Sequence, residues 1–144
     1  MKYPLKNEVS IHINANKEKV WDALTKPEII KKYFFGTNTE STWQPGTLVR
    51  FYGEWEGKKY EDKGTVLENK NQELLKYNYW SSMSGIEDKA ENYADITFTL
   101  EPDENGTTLT ILQENIPDEK MRAHSAENWN MVLDNMKKLL EDKN

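Results

Sequence analysis

Apolar and polar residues alternate from the start of the chain. Val9, Ile11 and Ile13 fall on one phase and Ser10, His12 and Asn14 on the other, the period-two pattern of a half-buried strand. Asn16 then offers a helix cap, with Val20, Trp21 and Leu24 as the apolar stripe behind it. Thr25-Lys26-Pro27-Glu28 has the form of a capping box with proline in the first turn. It predicts a second short helix that runs into Tyr33, Phe34 and Phe35 and ends at Gly36. From Trp43 onward the period is two again. Gln44-Pro45-Gly46 signals a turn, and Leu48–Trp55 sets Val49, Phe51 and Trp55 against Leu48, Arg50 and Tyr52. Glu56-Gly57-Lys58 turns the chain into Tyr60–Leu67, and Asn69-Lys70-Asn71 turns it into Leu74–Trp80, where Leu75, Tyr77 and Tyr79 share a face. Tyr93–Leu100 groups Ile96, Phe98 and Leu100, and Asn105-Gly106 predicts a type I′ hairpin into Thr107–Gln113. Between Ser81 and Glu91 no period holds, so SSMSGIEDKAE reads as a long surface loop.

After Pro117 the periodicity is helical to the end. Asp118 is the expected N-cap, and Met121, Ser125, Trp129, Val132, Leu133, Met136, Leu139 and Leu140 form one stripe. A helix from Glu119 to Glu141 would be a rod of about 35 Å at about 1.5 Å per residue, long enough to cross a whole domain. One strand, two short helices, a run of strands from Trp43 onward and a long helix predict an α+β fold. We expect a curved antiparallel sheet of about seven strands with the last helix packed across it, with residues 1–144 forming one domain. That helix should bury Trp129, Leu133 and Met136 and expose Asn130, Asp134 and Lys138.

This element order is similar to the helix-grip fold of the START and birch-pollen-allergen superfamily. Two stretches resemble the activator of heat-shock-protein-90 ATPase homologue family: Val20-Trp21-Asp22-Ala23-Leu24-Thr25-Lys26-Pro27-Glu28, and Asn128-Trp129-Asn130-Met131-Val132-Leu133-Asp134-Asn135-Met136-Lys137. The family usually carries glycine before that tryptophan, where this chain has Asn128. The resemblance spans roughly residues 8 to 141, and its motifs are packing motifs. It implies a cavity between sheet and long helix, and by the family's name a chaperone-associated partner. In the eukaryotic co-chaperones, however, a separate N-terminal domain supplies much of the chaperone contact.

Composition narrows the remaining classes. The 144 residues contain no cysteine, which removes disulfides, thiol catalysis and cysteine-based zinc sites and suits a cytoplasmic protein. The first residues, MKYPLKNEVS, lack the apolar run of a signal peptide, and no stretch approaches the roughly 18 apolar residues of a membrane span. With 19 Lys+Arg against 25 Asp+Glu, interspersed throughout, a nucleic-acid partner is not expected. The mean hydropathy is −0.91, yet there are 5 Trp, 7 Tyr and 4 Phe. The apolar content is concentrated in large rings, which serve either a compact core or a ring-lined cavity.

The candidate ligand-binding residues are therefore Phe51, Trp55, Tyr60, Tyr77, Tyr79 and Phe98 on strands, with Trp129, Leu133 and Met136 on the last helix. Trp21 reads as packing alone. Alternation does not decide which strand phase faces inward, because Phe51/Tyr52 and Tyr79/Trp80 place rings on both. His124 and Glu127 are at i,i+3 spacing on a helix, but two ligands are too few for a metal, and a solvated helix face is expected, as it is for His12. Glu54, Glu61 and Asp62 lie near strand middles. An acid facing the cavity would serve as a general base, but edge or convex-face solubility accounts for all three at less cost. No phosphate loop, G-x-S-x-G or dinucleotide fingerprint is present, so no catalytic residue and no cofactor is assigned. The leading expectation is non-catalytic binding of a small hydrophobic or aromatic ligand. A chaperone-associated role and a cavity-based hydrolase or cyclase are the alternatives. The cavity is expected to open near Ser81–Glu91, as a lid carrying Met83, Gly85 and Ile86, and near Tyr33–Gly36.

Overall fold

In the computed structural model the described residues are 3–82 and 84–141, with Trp55 described by its backbone alone. The elements are β1 (Leu5–Ile13), α1 (Lys17–Thr25), α2 (Pro27–Tyr33), β2 (Asn38–Glu40), β3 (Leu48–Trp55), β4 (Lys58–Lys70) and β5 (Leu74–Ser81). A single 3-10 turn at Ala90–Asn92 follows, then β6 (Ala94–Asp103), β7 (Gly106–Ile116) and α3 (Glu119–Glu141). The strands form one antiparallel sheet in the order β1-β7-β6-β5-β4-β3-β2. Only the β1–β7 pairing joins strands distant in sequence, and α1 and α2 are inserted between β1 and the meander. The sheet curves around α3, so the fold is the helix-grip α+β arrangement. Among the described residues no helix is long and apolar enough to cross a membrane.

The long helix follows its stripe. Asp118 caps it by accepting from the Met121 amide at 2.8 Å. Trp129, Val132, Leu133, Met136 and Leu140 are buried, while Asn130, Asp134 and Lys138 are exposed. At the other end of the chain Asn16 caps α1 through the Lys19 amide at 2.9 Å.

The capping box at Thr25 does not form. Thr25 remains helical as the last residue of α1, and its hydroxyl donates back to the Trp21 carbonyl at 2.9 Å. Lys26 becomes the N-cap of α2 without a side-chain bond, at φ −92 and ψ 117. Proline at 27 accounts for this, since it pushes the preceding residue out of the helical region.

Three further boundaries differ from the alternation. Trp43 begins no strand: it is a buried loop residue at φ 62 whose indole donates to the Thr25 carbonyl at 2.7 Å. The seventh strand is β2, three residues long and therefore too short to show a period. β4 extends to Lys70 because a bulge between Val66 and Glu68 resets its phase. The β6–β7 hairpin is not type I′, because its corner is Glu104-Asn105 and neither residue has a positive φ. Gly106 instead lies beside the chain after β1, where a Cβ would come within 2.2 Å of the Ile13 carbonyl oxygen. That close approach fixes the register and moves the corner back by one residue.

The two ring-bearing phases resolve cleanly. Phe51, Tyr77 and Phe98 turn inward with Val49, Leu75 and Ile96. Tyr52 and Trp80 turn outward, and each meets a cation there. The Arg50 guanidinium lies 4.8 Å from the Tyr52 ring centroid and the Lys63 ammonium 5.7 Å from that of Trp80.

Candidate functional site

Period two on β3, β5 and β6 turns Phe51, Tyr77, Tyr79 and Phe98 inward, and the antiparallel register brings those rings into a row. Phe34, just past α2, stacks on Phe51 at 6.3 Å between centroids. Phe51 meets Tyr77 at 5.6 Å and Tyr79 at 6.0 Å. Tyr77 meets Phe98 at 5.7 Å, and Phe98 meets Trp129 of α3 edge-on at 6.0 Å. The row thus runs from the end of α2 across the sheet to the long helix.

Two cavities flank it. The smaller, about 20 Å³, reaches toward Leu24, Ile30, Trp43, Phe98, Ile111, Val132 and Met136 and is mainly apolar. The larger, about 70 Å³, adds Tyr79, Ile96, Gln113, Ser125 and Asn128 and has a polar rim. Phe34, Phe51, Tyr77 and Trp129 belong to both. These four rings are the partition between the two spaces.

Of the residues expected from the sequence, Phe51, Tyr77 and Trp129 line both cavities, Tyr79 the larger, and Phe98 and Met136 the smaller. Tyr60 lines neither. It turns inward on β4, but its ring lies over Gly53 and its hydroxyl bonds the Thr37 hydroxyl at 2.6 Å, beyond the end of the ring row. Leu133 is fully buried in the solid core and also lines neither cavity. The side chain of Trp55 lies outside the described residues.

Besides Phe34 and Ile96, three polar residues of the larger cavity were not among the candidates from sequence although they left a signal. Gln113 continues the inward phase of Leu109 and Ile111, where a polar residue has no packing reason to be. Ser125 is a small residue inside the α3 stripe, which marks a gap. Asn128 adjoins Trp129 at the rim. The indole nitrogen of Trp129 donates to Gln113 Oε1 at 2.7 Å, so one ring is held by its edge to the sheet.

The acids divide by phase. Glu61 points outward to Arg50 at 2.9 Å, and that bond holds its carboxyl below the usual range. Glu54 is exposed. Asp62 is different, and the solubility reading does not hold for it. It lies between Phe51 and Ser81 in the sheet register, is only 8% exposed, and accepts from the Tyr79 hydroxyl and from the Ser82 amide at 3.3 Å. Burial raises its pKa, while the bonds from Tyr79, Ser81 and Ser82 pull it back down. Burial also pushes the Tyr79 and Tyr77 hydroxyls up, with the Asp62 charge adding to both shifts.

At the expected entrance, α2 ends in two successive left-handed residues, Phe35 at φ 54 and Gly36 at φ 75. A bulky side chain is rarely found there, and Phe35 is exposed. The loop after β5 contributes no wall: among the described residues none of 84–91 lines either cavity, and Met83 lies outside them. Instead the loop is fastened to the convex face. The Trp80 indole donates to the Ile86 carbonyl at 2.9 Å, Lys63 pairs with Asp88 at 2.7 Å, and the Tyr93 hydroxyl donates to Asp88 at 2.6 Å. His124 and Glu127 are exposed on α3, and among the described residues no three His, Cys, Asp or Glu side chains gather at metal-binding distance.

Comparison with known proteins adds the following. The family model described as Activator of Hsp90 ATPase homolog 1-like protein matches residues 14–141. The protein ChR145 from Cytophaga hutchinsonii, known from a solution structure, is 44% identical over 99% of this chain and 98% of its own, with a TM-score of 0.84. The Aha1 dimer from Colwellia psychrerythraea shares the fold at 21% identity, covering 95% of this chain and 96% of that one, with a TM-score of 0.75. DynU16, a putative protein in the dynemicin biosynthetic locus, shares it at 18% identity and a TM-score of 0.79, over 94% of this chain and 47% of that one. No curated protein matches the chain.

Proposed function

The chain belongs to the family of Activator of Hsp90 ATPase homolog 1-like proteins, and from that premise we propose that it binds a small hydrophobic or aromatic molecule, without chemistry, between the sheet and α3. The observation that carries this reading is the shared wall. Four rings separate two cavities that are each too small for a ligand, since pockets for drug-sized molecules run to roughly 300–1,000 Å³. Phe34 is half-buried and is followed by two left-handed residues, so of the four it has the least holding it in place. Swinging it aside would merge the two spaces and open them between the end of α2 and the Ser125–Asn128 rim.

A chaperone-associated role would leave this interior without a use, and a hydrolase or cyclase would need an activated nucleophile, whereas among the described residues no histidine or carboxylate lines the larger cavity beside Ser125. The reading carries with it a cytoplasmic setting, in keeping with a chain that has no cysteine.

Titration with the neutral probe N-phenyl-1-naphthylamine tests the reading. The probe should bind the native protein at micromolar levels and quench tryptophan emission. Ser125→Phe, which adds a ring at the cavity wall, should abolish binding while leaving the unfolding midpoint near its original value. Native mass spectrometry of freshly purified protein should also show a bound small molecule. A probe that ignores the native protein, or that binds the Ser125→Phe variant equally well, would favour the chaperone-partner role instead.

A further inference from the structure

Behind Tyr79, in the wall of the larger cavity, lies the buried carboxylate of Asp62, which has no charged partner among the described residues. The groups that act on Asp62 through hydrogen bonds are Tyr79, Ser81 and Ser82, all neutral, and the nearby cation Lys63 is drawn outward to Asp88. A serine or asparagine would accept from the same donors without the cost of desolvating a charge. Stability alone therefore does not account for an acid at this position.

Tyr79 links that charge to the cavity. Its hydroxyl donates a hydrogen bond to Asp62 and accepts one from Ser81, and its oxygen keeps a second lone pair on a residue that forms part of the larger cavity's wall. The hydrogen bond to a carboxylate makes that oxygen a stronger acceptor. The rings of Phe34, Phe51, Tyr77 and Trp129 line the same cavity. Aromatic rings around a desolvated space, with a carboxylate behind one of them, form the environment that favours an ammonium ion. The same charge works against an anionic ligand.

We infer that the molecule taken up by this cavity carries a protonated amine at one end, donated to Tyr79 in front of Asp62, with an apolar remainder lying along the four shared rings. This rests on the cavity reading above. A space of about 70 Å³ accommodates a small ammonium head before any ring moves, whereas the body of the molecule requires the partition to open.

The test compares phenethylamine, phenethyl alcohol and phenylacetate by NMR titration of the full chain, following tryptophan indole and backbone amide signals. The amine should bind about tenfold or more tightly than the alcohol, with phenylacetate weakest. Asp62→Asn should reduce the ratio of amine to alcohol affinity to about twofold or less, and Tyr79→Phe should do the same. Tyr79→Phe carries the comparison if Asp62→Asn fails to give a native spectrum. If the alcohol binds as well as the amine, or the amine's advantage survives in the variants, the ammonium inference is overturned and the cavity reading stands. If none of the three compounds binds and N-phenyl-1-naphthylamine does not either, both are overturned.

Discussion

Replacing Trp129 with alanine measures how much of the domain hangs on the joint between α3 and the sheet. Deleting a buried tryptophan costs about 3–5 kcal/mol. Two features push toward the top of that range. The indole donates to Gln113 at 2.7 Å, a bond worth about 0.5–1.5 kcal/mol, and it meets Phe98 edge-on, which adds about 0.5–1.5 kcal/mol. Two features push the other way. Voids on both sides of the ring mean fewer close contacts to lose. The polar rim also lets water enter and satisfy Gln113 once the indole is gone. The net expectation is about 3–4 kcal/mol for Trp129→Ala and about 1–2 kcal/mol for Trp129→Phe, which keeps most of the apolar area and the edge contact but loses the hydrogen bond. His124→Ala, on the exposed face of the same helix, should stay within about 0.5 kcal/mol. Urea unfolding followed by far-ultraviolet circular dichroism is the suitable assay, because its signal does not depend on the deleted indole. A Trp129→Ala loss below about 1 kcal/mol, or one no larger than that of His124→Ala, would refute the claim that this ring anchors α3.

Three further outcomes are expected. Gly64→Ala should destabilise by about 3 kcal/mol or more, since its Cβ would come within 1.7 Å of the Asn78 carbonyl oxygen; hydrogen exchange should show lost protection between β4 and β5, and an unchanged midpoint would mean that the strands are farther apart than described. Glu56 and Gly57 have φ of 50 and 81 in the two-residue turn joining β3 to β4, so Glu56→Asn should stabilise by about 0.5 kcal/mol in the same urea assay. For Asp62, which faces Tyr77, Tyr79, Ser81 and Ser82, burial raises the folded pKa above its unfolded value. Its protonated form therefore gives stability that is complete below the usual carboxylate range and is lost as pH rises through the raised folded value. Asp62→Asn should flatten that fall when urea midpoints are compared from about pH 4 to pH 7, and parallel curves for the two proteins would count against a raised pKa.

How much was legible depended on how many residues carried each signal. The α3 stripe spans Met121 to Leu140 and was readable along with its cap and its exposed face, because eight positions agree on one period. β2 was not, since Asn38–Glu40 is too short for alternation. The Asn-Gly hairpin misled for a non-local reason: the glycine was needed where β7 passes Ile13, a contact 93 residues away along the chain. The inward phase was hidden by rings on both faces, yet its key lay in the sequence beside them. Arg50 and Lys63 fall on the same phases as Tyr52 and Trp80, and a cation marks the wet side of a sheet. Asp62 was weighed as a cavity acid and assigned to the surface, and Gln113 was passed over, because polar residues on strands are usually read as surface. Counting two by two from Val66 and from Ile111 assigns both to the interior.

The partition of four rings also determines how the folded protein responds to compression. Voids are volume that the folded state holds and the unfolded chain does not, so hydrostatic pressure works against them. The smaller space has the less polar lining of the two and so less to retain water, which makes it the more compressible. Pressure should therefore act first on Phe34, Phe51, Tyr77 and Trp129, shifting their resonances in a folded protein whose β1–β7 edge stays unmoved. The same rings will flip and tilt more freely than their depth in the core would imply, because each has empty space on both sides.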